Sequence, residues 1–362
     1  MVCSFLCMLA LLLLRNPATA GAGQDTVRRI MFGSCLVASR PHPILNTISR
    51  MNPDLFVFLG DNIYADTEEP KVMAEKYREL GRSSLFQTLL NTCPVVAIWD
   101  DHDYGKNDAG ADYIMKETSR QLFLNFWGVP EDSPRRRRLG IYDSMLFGPE
   151  NRRVQLILLD TRYFRSRLKR NPDWSSKHGL KELTGPYLPI EDEGATILGA
   201  EQWKWLAGQL STPARIRLIA SSIQVLAQPN GWESWSNFPL EKARLLRLLG
   251  ETRAEGVLFI SGDRHFAELS VRPLEGFYPL HELTSSGLNI RFPDETPSEN
   301  AFREGPYYLR ENFGMVMIHW DEIDPFIELS IYDEKGSRKI SKIVSLSSLK
   351  YGIVAEADRP AE

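Results

Sequence analysis

Short, almost wholly apolar runs alternate along this chain with segments of helical spacing. Residues 29–33, 55–59 and 95–99 read as buried strands, because runs of about five residues without polar alternation suit strands covered on both faces. Between them "HPILNTISRM" reads as a helix, and 70–92 as helical with a break around Gly81 to Ser84. Residues 109–127 have helical spacing, with Ile114, Phe123 and Phe126 among the apolar positions. A further strand at 154–159 precedes a long irregular stretch, 165–198, rich in Pro, Lys, Glu and Gly; loops of that length usually carry function or motion. Then come a helix at 199–210, a strand at 216–220, a helix at 240–252 and a last core strand at 257–261. From Glu268 onward the pattern is mainly strand, at 282–285, 315–319 and 326–332. There is no internal repeat and no linker between two cores. The β-α-β order predicts an α/β protein of two packed sheets flanked by helices, with 21–362 as one large domain.

The first 20 residues stand outside that pattern. Phe5 to Leu14 is apolar and Ala18-Thr19-Ala20 resembles a small-residue cleavage signal, so 1–20 reads as a signal peptide. The apolar run is too short to span a bilayer comfortably, which takes about 20 residues. No Lys or Arg precedes it, and neither a twin-arginine pair nor a lipobox-like cysteine is visible. The expectation is a secreted or periplasmic protein without a membrane span in the mature chain; the rival is an uncleaved leader acting as an anchor. Cys3 and Cys7 leave with the leader, so the mature chain keeps Cys35 and Cys93. These could form one disulfide, but Cys35 closes a strand beside other polar clusters, which favours a ligand role. The 362-residue chain is 25% charged and 43% hydrophobic, as ordinary soluble proteins are, and its net charge of −4 makes no electrostatic case for nucleic acid. Its composition leaves oligomeric state open.

The chemistry gathers just after the strands. "MFGSC" ends at Cys35, "FVFLGDNIY" carries Asp61 and Tyr64, "VVAIWDDHDYG" carries Asp100 to Asp103, and "VLFISGDRHF" carries Asp263 and His265. In layered α/β folds this edge of the sheet is where sites assemble. Asp61 follows a tight strand exit in which Gly60 lets the backbone turn, and a carboxylate there can bridge two cations. Alone it would read as a turn residue bonding its own backbone. Thiolate and phenolate from Cys35 and Tyr64 suit a trivalent ion such as ferric iron; zinc would more usually take Cys and His. Asp101 is the metal-ligand candidate of the acidic run, His102 the general acid and Asp103 an orienting carboxylate, against the alternative of an acidic surface turn. Asn107 and Asp108 organise the loop or touch substrate. Asp263 and His265, two residues apart, can face one site from an extended segment, which would turn Arg264 elsewhere unless the loop is irregular. Arg162 follows another strand end and either holds a phosphate oxygen or makes a salt bridge. Arg135 to Arg138 reads as a solvated loop, and histidines 42, 178, 281 and 319 as structural or surface residues.

Taken together, "FGSC", "GDNIYAD", "WDDHDYGKND", "FWGVP", "LDTRYFR", "GAEQWKWL", "ISGDRHFAEL" and "ELTSSGL" resemble the PhoD-type alkaline phosphatases of the calcineurin-like metallophosphoesterase superfamily, over most of the mature chain and in the family's order. The resemblance implies a four-layer α/β/β/α sandwich with a ferric iron and calcium site at strand C-terminal ends. Carried over by residue, Cys35, Tyr64 and His265 would bind iron, Asp61 would bridge, and Asp101 and Asp263 would serve calcium. Zinc, manganese or magnesium are the alternative metals. Cys35 stands where many superfamily members have an Asp-x-His pair. "SWSNFP" resembles the family's Trp-Asp-Gly-Tyr-Pro segment, with Ser236 in place of Asp. The implied activity is hydrolysis of small phosphate esters by a metal-bound hydroxide, with His102 protonating the leaving alkoxide. Phosphodiesterase or phospholipase D-like activity at the same site is the rival enzyme reading; a catalytically silent metal-binding or interaction protein is the rival of another class.

Overall fold

The computed structural model describes residues 25–174, 185–291 and 297–352; the leader, His178 and part of the irregular stretch lie outside them. The first half of the chain runs β1 (Arg29–Gly33), α1 (Ile44–Arg50), β2 (Leu55–Leu59), α2 (Pro70–Arg82), α3 (Ser84–Thr92), β3 (Val95–Ile98), α4 (Asp101–Tyr104), α5 (Lys116–Phe126), α6 (Pro134–Arg137), β4 (Asp143–Phe147) and β5 (Val154–Leu158). The second half adds β6 (Lys169–Arg170), β7 (Tyr187–Leu188), α7 (Gly199–Leu210), β8 (Ile216–Ser221), α8 (Pro239–Glu251), β9 (Val257–Ser261), β10 (Ala267–Arg272), β11 (Leu280–Ser285), β12 (Asn312–His319), β13 (Phe326–Asp333) and β14 (Arg338–Ser345).

Two six-stranded mixed sheets form, in the orders β14-β13-β12-β1-β2-β3 and β10-β11-β9-β8-β5-β4. The apolar runs β1 and β2, and β8 and β9, lie inside the sheets, and β3 forms an edge. β1, β2 and β3 are mutually parallel, as are β5, β8, β9 and β11, while the outer strands pair antiparallel. Every residue of β2, β3, β5, β8 and β9 is buried, so these strands read as mainly apolar, unbroken in β2 and β3 and interrupted by Gln155 in β5 and Arg217 in β8. One continuous hydrophobic cluster draws on both sheets and on the helices outside them, giving the α/β/β/α layering. No helix among the described residues is long and apolar enough to cross a membrane.

The structure departs from the sequence expectations at particular elements and residues. The helix expected over 109–127 starts only at Lys116, because Gly110 and Ala111 are tied to the next loop: Ala111 N donates to Arg165 O at 2.7 Å, and a Cβ on Gly110 would lie 2.4 Å from that oxygen. Ile114, expected on an apolar face, is therefore 74% exposed. β4, β10 and β14 were not foreseen; they flank the sheets' apolar centres, and β4 and β14 are only partly buried, with weak periodic signals. Arg135 is not in a solvated loop. It is buried, and its guanidinium donates to Ile141 O at 2.5 Å and to Ala97 O at 3.1 Å, the latter a carbonyl of the sheet-edge strand β3. Cys35 and Cys93 are both free thiols, which agrees with the preferred reading over the disulfide alternative. The expected break near Gly81 to Ser84 is present, and Ser83 makes it: its hydroxyl accepts from Phe86 N at 3.2 Å and caps α3.

Candidate metal centre

Parallel strands of one sheet end on the same side, so the loops after β1, β2 and β3 lie together, as do those after β5, β8, β9 and β11. The two sets meet. From the first come Cys35, Asp61, Tyr64 and Asp100 to Asp103; from the second Arg162, Ser222, Asp263, His265 and Ser286. Cys35 Sγ lies 3.1 Å from Ser286 Oγ and 3.4 Å from Asp61 Oδ2. Tyr64 donates to Asp61 Oδ2 at 3.2 Å, and its hydroxyl is 3.2 Å from His265 Nε2. Asp61 Oδ1 instead accepts from His102 N at 3.3 Å, and Asp101 Oδ1 accepts from the same N–H at 3.0 Å. The two oxygens of Asp61 thus face two different donor groups.

Backbone strain marks the same residues. Cys35, Asp61, Asp66, Asp108, Asp263 and His265 all have φ between 45° and 68°, the left-handed region that side-chain-bearing residues avoid. Such conformations persist where the surroundings over-determine them; five of these residues supply converging donor atoms and Asp66 bonds His102, while Asn52 and Arg253 share the conformation away from the site.

The ligand atoms converge. Those of Cys35, Asp61 and His265 lie within 4.8 Å of one another, as do those of Asp61, Asp101 and His102, of Asp100, Asp101 and Asp263, and of Asp101, Asp108 and Glu233. Fixed positive charge does not match this acidity. Burial and the Cys35 and Asp101 charges push Asp61 well up, burial and Asp100 do the same to Asp263, and burial raises the Cys35 thiol to about 11. Asp100 Oδ2 and Glu233 Oε2 are buried acceptors without a hydrogen-bond partner among the described residues. Orphaned carboxylate oxygens beside a thiol, a phenol and an imidazole are what bound cations would satisfy. The residues fit metal ions.

Roles sort further by contact. Asp103 does not touch the His102 ring. It accepts from Asp61 N, Asn62 N and Asp100 N at 3.2, 3.2 and 2.6 Å, locking the two acidic loops together. The carboxylate on the imidazole is Asp66, with both oxygens 2.8 Å from Nδ1. Burial opposes charge on His102, but the Asp66 bond and the Asp61 and Asp101 charges outweigh it and lift its pKa to about 10. Burial and the positive charge of His102 push His265 down to about 4, as a neutral ligand requires. On Asp101 burial is overcome by Arg162, His102 and the Asp108 N–H, and the group falls to about 2. Arg162 is fully buried and paired, 2.5 Å from Asp100 and 2.9 Å from Glu233. Asn107 is exposed; its N–H donates to Asp66 Oδ1 at 3.2 Å and its side chain to Asp108 at 2.6 Å. His42 is bonded to Ser83 and His319 is stacked on Phe326, both outside the cluster. Beyond Asn107 and Asp108 a cleft of about 500 Å³ opens, lined by Lys106, Tyr113, Arg170 and Tyr187.

Sequence reasoning missed Asp66, Glu233 and Ser286. Asp66 closes the "GDNIYAD" segment and could have been weighed with Asp61 and Tyr64. Glu233 sits alone in "NGWESW", with no strand before it and no ligand-type neighbour, and gives no local signal.

A two-sheet α/β sandwich carrying this donor set where the strand ends meet defines a metallophosphatase-like protein. The chain belongs to the PhoD-like phosphatase family, which matches residues 34–301 and so spans every candidate ligand; membership supports a metal-dependent phosphoesterase. Among solved structures, one described as the structure of PhoD is similar over 90% of this chain and 73% of its own, at 17% identity and a TM-score of 0.61. GAP50, described as the anchor in the inner membrane complex of Plasmodium, is similar over 89% of both chains, at 13% identity and a TM-score of 0.54. At such identities the likeness is one of fold, which different functions share. Comparison with curated proteins found no match.

Proposed function

We propose that this chain hydrolyses phosphate esters of small molecules at an iron and calcium centre. Cys35, Tyr64 and His265 would hold iron, Asp61 would bridge, and Asp101 and Asp263 would hold calcium. The observation that carries this reading is the split use of Asp61, one oxygen facing Cys35 and Tyr64 and the other facing Asp101 and His102. Bound cations would supply Lewis acidity, neutralising phosphoryl oxygens and activating the attacking water.

The chain's own residues supply orientation and a proton. Asp66 holds His102 through Nδ1, leaving Nε2 to donate to the leaving oxygen, while the Tyr64 ring, 4.3 Å away centre to centre, fixes the imidazole plane. Asp103 positions Asp61 and Asp100 through their backbone N–H groups. Asn107 borders the cleft that would take the organic arm of the ester. Residues 1–20 are read as a cleaved leader of a secreted or periplasmic protein, and 21–362 as one domain.

The test is metal analysis of the purified mature chain, with turnover of p-nitrophenyl phosphate and bis-p-nitrophenyl phosphate before and after calcium chelation. Expected are iron with a thiolate charge-transfer colour that Cys35→Ser abolishes, and activity lost on chelation and restored by calcium. The relative rates on the two esters separate monoesterase from diesterase. Metal-replete protein that turns over neither ester would sink the reading in favour of a silent scaffold.

A further inference from the structure

Arg264 lies between two candidate ligands, Asp263 and His265, and is only 7% exposed. The other buried arginines nearby each have a carboxylate oxygen close by, although Arg162 Nη2 and Arg165 Nε, like Arg264 Nε, lack a well-directed hydrogen bond among the described residues. Arg162 meets Asp100 and Glu233; Arg165 meets Glu233 at 3.2 Å and donates to the carbonyls of Ser166, Asp108 and Ala109. Arg264 differs in the distance to its carboxylate. Its Nε is a buried donor with no partner among the described residues, and its nearest carboxylate oxygen, Asp263 Oδ2, is 4.0 Å from Nη1, too far for a hydrogen bond. That same carboxylate groups with Asp100 and Asp101 as a cation site.

The guanidinium is nevertheless held firmly. Its carbon lies 5.5 Å from the Trp232 ring centre and 5.6 Å from that of Phe266, and Trp232 is itself packed edge-on against Trp174. Rings attract a cation but accept no directed hydrogen bond from its fork. In a regular extended segment Arg264 would point away from its neighbours. Here Asp263 and His265 are both left-handed, with φ of 68° and 58°, and the alternation is broken. A buried guanidinium whose Nε has no acceptor and whose nearest carboxylate is 4.0 Å away is costly unless an anion completes it.

We propose that Arg264 binds non-bridging oxygens of the phosphoryl group at the metal centre. Arg162, for which the sequence left a phosphate contact and a salt bridge open, is by contrast a scaffold residue joining the loops after β3 and β5. The planar fork of Arg264 matches two oxygens of a tetrahedral oxyanion, and the aromatic packing pre-sets its orientation. This assignment rests on the phosphoesterase reading for its substrate, yet binding of inorganic phosphate, the common product, tests it without turnover.

The experiment compares metal-loaded wild type with Arg264→Met, which keeps the packing between Trp232 and Phe266 but removes the donors. Arg264→Lys keeps the charge without the fork. Calorimetry should show phosphate affinity about 10- to 100-fold weaker in Arg264→Met, the range of a lost charge-assisted contact, and intermediate in Arg264→Lys. Metal content and melting temperature should stay near wild type. In Arg264→Ala, added guanidinium ion should restore part of the affinity. Phosphate affinity equal to wild type in Arg264→Met would overturn the assignment, as would loss of bound metal in both Met and Lys variants, which would make Arg264 a support for the ligands. Intact phosphate binding in wild type without ester turnover would instead remove the phosphoesterase reading and leave Arg264 as an oxyanion site.

Discussion

His102 is gripped at Nδ1 by Asp66, with the Tyr64 ring beside its own, so one ring nitrogen is left for chemistry. Such an arrangement suits an acid that hands one proton to a leaving alkoxide. The need for it scales with how poor the leaving group is. His102→Ala should therefore lower kcat on alkyl phosphate esters by about 10²–10⁴-fold, and far less on p-nitrophenyl esters, with bound metal unchanged. Asp66→Asn should follow the same selectivity at smaller amplitude, since it loosens the ring without removing it. Steady-state kinetics on paired substrates, with metal analysis, read this out. Equal losses on both esters together with missing metal would move His102 among the ligands. The Asp66 partnership was not legible in the sequence, because a carboxylate two residues past a tyrosine carries no mark of which side chain it will meet. Arg162 shows the same limit in reverse: its place after a strand left a phosphate and a salt bridge equally open, and its buried ion pairs with Asp100 and Glu233 show the salt bridge.

At the scale of elements, the centre depends on how closely β2 and β3 exits approach each other. Gly60 has φ of +101°, and a Cβ there would lie 2.4 Å from Asp100 Cβ and 2.7 Å from Asp100 N. Both the conformation and the contact exclude a side chain. Gly60→Ala should cost about 1–3 kcal/mol, the usual range for overpacking, and push the Asp61 turn away from the Asp100–Asp101 turn that Asp103 ties to it. Denaturant melts should show the loss and metal analysis a reduced occupancy. A variant with wild-type stability and full metal would show that the two exits have slack. The strands themselves were readable because burial on both faces writes itself as an apolar run. β4 and β14 escaped because half-buried strands mix polar and apolar residues, and their pairing partners decide their state.

For the whole molecule, a buried lysine links stability to pH. Lys242 on α8 donates to Leu226 O, Ala227 O and Ser236 Oγ at 3.1, 2.6 and 2.8 Å, with no carboxylate in bonding range among the described residues. Burial, then the Arg272 charge, lowers its pKa to about 7, against about 10.4 for a free lysine. Between these values the unfolded chain binds the proton and the folded chain does not, so stability rises with pH across that window, and the penalty is fully present below about pH 7. Relative to Lys242→Met, which has no such group, wild type should lose up to about 1.4 kcal/mol per pH unit on going from pH 10 to pH 7. Paired denaturant melts at several pH values measure the difference, and a flat difference would show that Lys242 stays charged in the fold. Ser236→Asp should flatten it too, by placing a counter-ion where the family pattern has one.

The sequence by itself determined the layered α/β class, the central strands and the chemical types of the donors at their ends. Those are local properties: apolar runs report burial, and a thiol, phenol, carboxylate or imidazole after a strand is visible without knowing its neighbours. Only the tertiary structure decided which donors meet. The loops after β1, β2 and β3 face those after β5, β9 and β11 because two sheets pack with their strand ends together, bringing Cys35 to Ser286 and Tyr64 to His265 across more than 200 residues of chain. Whether a buried charge is paired, as in Arg162, or left to await an anion, as in Arg264, is set by that packing, since ion pairs form through space between residues that share no local pattern.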